Sequence, residues 1–141
     1  MSAIQLAALA RTCEPQSMLR RFLALDAVVT GGNALAYLAF PGPLGRFLGV
    51  DATLLLALGA FLALYAAGVG VLAARRQPPA VGVRAVVEGN LAWAAVSLVV
   101  LALWLSPSTP GAVWTVLQAL AVAGFAVLQH ASLKARQESS V

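Results

Sequence analysis

An all-α bundle of four membrane-crossing helices is what this sequence predicts, and three observations carry the prediction. Four apolar runs, over residues 21–40, 54–74, 83–105 and 112–133, match the roughly 20 residues a helix needs to cross ~30 Å of hydrocarbon. Only 10 % of the 141 residues are charged and 61 % are hydrophobic. Soluble domains carry about 25 % charged residues, so most of this surface has to meet lipid. Finally, of nine Lys and Arg residues, eight gather before or at the start of the first run, around the start of the third, and after the fourth; only Arg46 lies on the other side. That asymmetry predicts amino and carboxyl termini both in the cytoplasm. The runs are too long, and alternate too little, for strands.

Residues 1–19 read as a short cytoplasmic arm, lying in or near the interface. The lone Cys13 permits no internal disulfide, and Arg11 beside it does not suit a lipoprotein signal. The stretch from Ala3 to Ala10 lacks the basic segment that precedes a cleaved signal peptide. The first run, 21–40, stops at Pro41-Gly42-Pro43. The apolar stretch from Leu44 to Val50, interrupted by Arg46, is expected along the outer membrane face. Asp51 stands as N-cap before the second run, 54–74, which ends in Arg75-Arg76-Gln77-Pro78-Pro79. The third run, 83–105, stops at Ser106-Pro107. Thr109-Pro110 opens the fourth, 112–133, with the hydroxyl as cap and proline in the first turn. Lys134 and Arg136 follow, and residues 138–141 form a short tail. Tyr37, Phe40, Trp104 and Trp114 fall near the outer ends of their runs, as one side of an aromatic belt.

An internal echo accompanies this order. Ala27-Val28-Val29-Thr30-Gly31-Gly32-Asn33 resembles Ala85-Val86-Val87-Glu88-Gly89-Asn90 after one deletion, and the second and fourth runs both end in basic residues followed by glutamine. A tandem repeat of a two-helix hairpin would produce this pattern, with equivalent helices running the same way.

Polar side chains within the runs are the candidates for function, because they are costly in lipid. Asp26, Thr30, Asn33 and Tyr37 are spaced 4, 3 and 4 apart, which puts them on one helix face. An unpaired carboxylate at that depth costs roughly 2.5–3.5 kcal/mol, so Asp26 should face the bundle and hold a proton or meet a cation. Arg84 and Glu88 share one face of the third run, while Asn90, Trp93, Ser97 and Trp104 share the opposite one. Arg84 is the expected partner of Asp26, with Glu88 competing for it. The fourth run adds Thr115, Gln118, Gln129 and Ser132. Two readings follow: these groups pack the helices together, or Asp26, Asn33, Arg84, Glu88, Asn90 and Gln118 line a ligand or ion path. On the second run Gly59, Ala63, Ala66 and Gly70 form a small-residue stripe suited to close helix association, within the bundle or between copies.

No reactive constellation is present in the sequence. His130 is the only histidine, so a bis-histidine haem cannot form within one chain and a zinc site lacks its usual ligands. There is no nucleophile elbow and no phosphate loop. No catalytic residue, metal or cofactor is therefore expected. The net charge of +4 reads as topology signal and lipid contact rather than as a nucleic-acid surface.

The run Leu25-Asp26 through Gly32-Asn33-Ala34-Leu35-Ala36-Tyr37-Leu38, then Pro43-Leu44-Gly45, Asn90-Leu91-Ala92-Trp93 and Leu128-Gln129 resembles small four-helix bacterial membrane proteins described only as uncharacterised. The resemblance spans residues 20–137 and implies a bacterial inner membrane with no known activity. Small multidrug transporters and fluoride channels, which also have four helices, do not share this chain's patterns. The leading expectation is a non-catalytic inner-membrane protein that packs with itself or with a larger membrane complex. The alternatives are a small transporter or channel using Asp26 or Glu88, and lipid or hydrophobic-ligand binding between the helices with Trp93 and Tyr65 as walls.

Overall fold

The computed structural model describes residues 3–103 and 108–139, with side chains over 16–103 and 108–138. Among these residues the chain is all helical: α1 (Ala3–Ala39), α2 (Pro41–Leu48), α3 (Ala52–Ala74), α4 (Ala80–Leu103) and α5 (Thr109–Ser139). Four stretches, Gln16–Ala39, Ala52–Ala74, Ala80–Leu103 and Thr109–Glu138, are long and apolar enough to cross a membrane. Helices suit that setting because every backbone donor and acceptor is met within its own segment. The expected belt residue Trp104 and the stop at Ser106-Pro107 lie outside the described residues, as does the side chain of Cys13.

The amino-terminal arm is no separate element. Helix α1 runs unbroken for 37 residues, about 55 Å at 1.5 Å per residue. Its lower part is tied to the end of α3 and the loop after it: the Gln16 amide donates to the Arg76 carbonyl, and Arg20 Nε donates to the Ala73 carbonyl at 3.2 Å. Arg136 near the end of α5 completes this base. Its Nη1 donates to the Pro78 carbonyl at 2.7 Å and to Gln16 Oε1 at 3.1 Å.

At the opposite end, α2 packs over the bundle through buried Gly45 and Leu48, and Phe47 points outward. Gly49 closes α2 with a left-handed backbone at φ 71°, a conformation that favours glycine. The cap of α3 is Asp51, whose carboxylate accepts from Thr53 N–H at 2.9 Å. For α5 the cap falls one residue before the expected Thr109. Ser108 Oγ accepts from Gly111 N–H at 3.3 Å and donates to the Phe47 carbonyl at 2.6 Å, so one serine starts α5 and holds α2.

The helices form a row, α3–α1–α5–α4, whose ends curl toward each other; α3 and α4 approach least closely. One apolar cluster, at the end of the bundle held by Gln16 and Arg136, includes Leu19, Leu23, Val69, Val83, Val87 and Leu133. A smaller one, toward α2, is built on Ala34, Tyr37, Leu55 and Leu62. The small-residue stripe of α3 is used within the chain, against α1. A Cβ at Gly59 would stand 2.9 Å from Leu38 Cγ and 3.1 Å from Tyr37 Cβ. A Cβ at Gly31 would meet Ala66 Cβ at 3.7 Å, and one at Gly70 would meet Ala27 Cβ at 3.9 Å. Close approach of α1 and α3 therefore consumes the face that the sequence also offered for association between copies.

The outer aromatics divide in two. Phe40 is exposed, as a belt residue would be. Tyr37 and Trp114 instead meet inside, with Trp114 Nε1 donating to Tyr37 Oη at 2.8 Å. Val28, Leu35, Leu64 and Val127 project from the bundle with 64–76 % exposure, leaving an apolar circumference that lipid would cover.

Candidate functional site

Asp26 lies deep in the bundle, 1 % exposed. Its Oδ1 accepts from Thr30 Oγ1 at 3.0 Å, one turn along α1. Its Oδ2 accepts from Asn90 Nδ2 of α4 and from Gln129 Nε2 of α5, both at 2.8 Å. Asn90 Nδ2 also donates to Gln129 Oε1 at 3.1 Å, and Asn90 Oδ1 accepts from the Tyr65 hydroxyl of α3 at 2.9 Å. All four long helices thus meet in one polar network. Gly89 makes room for it: a Cβ there would lie 3.2 Å from Tyr65 Oη, so glycine lets the phenol reach both Asn90 and the Val86 carbonyl at 3.1 Å. Among the described residues no buried side-chain nitrogen or oxygen lacks a partner. That closure matters, because a half-satisfied polar cluster in a low-dielectric interior destabilises its fold.

The expected Asp26–Arg84 pair does not form. Arg84 and Glu88 are exposed, and the acceptors of Asp26 are met by neutral groups. Helix geometry explains the difference. At 100° per residue Arg84 points about 120° and Glu88 about 160° away from Asn90 around α4. Once Asn90 turns inward, the other two cannot. Neither Arg84 nor Glu88 therefore reaches Asp26.

Outward of this network the bundle opens into a cavity of about 750 Å³ walled by all four long helices and capped by Leu48 and Val50. Its floor is Asp26, Thr30, Tyr65 and Asn90; its walls are mostly apolar, among them Leu54, Leu58, Val96, Val100, Leu117 and Val122. Two further polar ties cross it. Trp93 Nε1 donates to Gln118 Oε1 at 2.7 Å, joining α4 to α5. The Trp114–Tyr37 bond joins α5 to α1. Between α3 and α4 the barrier is aromatic: Phe61 stacks on Trp93 at 5.8 Å and 10°, and on Tyr65 at 6.2 Å and 25°. Phe61 is itself half exposed, so this seam faces both the cavity and the outside of the bundle.

Of the residues proposed from sequence, Asp26, Asn33, Asn90 and Gln118 all border this one cavity, at different levels. Gln129, Thr30 and Ser97 are recognised in the sequence as polar positions but not placed on the ligand or ion path. Gln129 carried the clearest available signal, as a glutamine within an apolar run beside Leu128. Asn33 and Ser97 also line the cavity; unlike the others, neither side chain has a hydrogen-bond partner among the described residues. Among the described residues, no three His, Cys, Asp or Glu side chains gather where a metal could be held. The chain matches no family model, no curated protein and no solved structure.

Proposed function

We propose that this chain is a multi-pass protein of a bacterial inner membrane, with both termini in the cytoplasm, that binds a hydrophobic ligand between its helices. The observation that carries the reading is the cavity of about 750 Å³ with mostly apolar walls, within the size range of small-molecule sites. The cavity is open over part of its surface rather than sealed, and its mostly apolar walls favour hydrocarbon over water as the occupant. The seam between α3 and α4, bridged midway by the Phe61 and Tyr65 contacts, supplies a route from the bilayer.

Self-association through Gly59 and Gly70 is less favoured, because those positions already serve the α1–α3 contact. A cation path is less favoured too: Asp26 is enclosed by three donors and Glu88 lies on the outside.

Native mass spectrometry of the protein extracted in a mild detergent tests the reading. It should show a retained molecule of defined mass, and Ala121→Phe, which adds bulk to the cavity wall, should remove it while the melting temperature stays within a few degrees. A spectrum of ligand-free protein from several detergents would refute the proposal.

A further inference from the structure

We infer that the ligand is a neutral amphiphile whose single hydroxyl or carbonyl group is held by Asn33 and Ser97; this rests on the cavity reading above. Hydrogen-bond accounting separates two kinds of polar group on the cavity surface. Asp26, Thr30, Tyr65, Asn90 and Gln118 are committed to one another or to backbone, and the Trp93 and Trp114 N–H groups are committed to Gln118 and Tyr37. The amide of Asn33 and the hydroxyl of Ser97 are not committed, yet both face the cavity. Together they offer two N–H donors, one O–H donor and their acceptor lone pairs.

Their level in the bundle is the second observation. Asn33 lies seven residues beyond Asp26 on α1, and Ser97 seven beyond Asn90 on α4. Each is thus about 10 Å outward of the polar floor, and since Asp26 and Asn90 are bonded to each other, the two free groups stand at matching heights on different helices. Each is also six residues short of the last described residue of its helix, Ala39 or Leu103, about 9 Å below that end. A phosphate headgroup at such a depth would have to leave water with no opposite charge to meet it, and an ammonium group would find only the Asp26 carboxylate, already met by three donors; both are expensive. A lone hydroxyl or carbonyl is far cheaper to bring in and gains hydrogen bonds from both residues. The aliphatic remainder would lie against Leu54, Leu58, Val96 and Val100, which supply contact without direction.

The test compares probes of one chain length: dodecanol, dodecane and dodecyltrimethylammonium, each displacing a fluorescent apolar dye from purified protein. Dodecanol should compete at least ~10-fold better than dodecane, about what two hydrogen bonds contribute. Asn33→Ala with Ser97→Ala should erase that preference and leave dodecane unchanged. Since neither side chain is bonded among the described residues, the double variant keeps its fold, which its melting temperature checks. Equal competition by dodecanol and dodecane would overturn the inference while leaving a hydrophobic site in place. Preferred binding of the ammonium probe, abolished by Asp26→Asn, would overturn it in favour of a cation site. Failure of all three probes to displace the dye would remove the inference and the cavity reading together.

Discussion

Replacing Gly59 by isoleucine is expected to prevent the bundle from forming, with loss of well over 3 kcal/mol and aggregation in detergent in place of a sharp size-exclusion peak. The Cβ alone would meet Leu38 Cγ at 2.9 Å and Tyr37 Cβ at 3.1 Å, and a β-branched side chain adds bulk with one favoured rotamer. Helix α1 would have to retreat from α3, taking the Tyr37–Trp114 bond with it. Gly70→Ala provides the contrast on the same helix. Its added methyl would meet Ala27 Cβ at 3.9 Å, an ordinary contact, so stability should change by less than about 1 kcal/mol. If instead Gly59→Ile left a folded monomer and only reduced the particle mass on light scattering, the stripe would be an interface between copies.

The second large effect is expected at Asn90. Asn90→Leu removes three interhelical hydrogen bonds: those to Asp26 and Gln129, and the one from Tyr65. At the ~0.6 kcal/mol measured per bond inside membrane proteins this is about 2 kcal/mol. The Gln129 carbonyl, left in a buried site without its donor, adds roughly 1 kcal/mol more. Tyr65 keeps the Val86 carbonyl, and Asp26 keeps Thr30 and Gln129, so the protein should still fold with a lower midpoint of thermal or denaturant unfolding. Asn33→Ala, which removes an equally polar side chain with no partner, should shift that midpoint negligibly. Equal effects at the two asparagines would mean that the network contributes nothing specific.

Much of this architecture is legible in the sequence because bilayer thickness sets helix length. The four apolar runs coincide with α1, α3, α4 and α5 to within a few residues at most ends. The exceptions have physical causes. Helix α1 continues into the arm, and α5 into the tail, because Gln16, Arg20 and Arg136 bond across the base of the bundle, contacts between distant parts of the chain that no local pattern encodes. The 4, 3, 4 spacing correctly groups Asp26, Thr30, Asn33 and Tyr37 toward the interior. Spacing cannot choose between two opposed polar faces of one helix. On α4 the charged face of Arg84 and Glu88 looked the natural partner for a carboxylate. The amide face won: Asn90 and Gln129 together supply neutral donors that satisfy Asp26 without burying a guanidinium, whose desolvation would have to be recovered by the pair. Several residues of the cavity, Asp26, Asn33, Tyr65, Asn90, Trp93 and Gln118, are legible as candidates, but its apolar walls and its place beside the α3–α4 seam are not. The cavity lies where Phe61, Tyr65 and Trp93 bridge α3 and α4, beyond the closer contact of Leu72 with Gly82, an arrangement that depends on the order in which helices pack.

The cavity reading meets its most direct test in tryptophan fluorescence. Of three tryptophans, Trp93 and Trp114 line the cavity, and Trp104→Phe leaves only these two. In nanodiscs containing increasing fractions of a brominated apolar quencher, the account predicts quenching that saturates at low quencher fraction and is reversed by unbrominated dodecanol. Quenching that rises in simple proportion to the bilayer bromine content, indifferent to dodecanol, would contradict it.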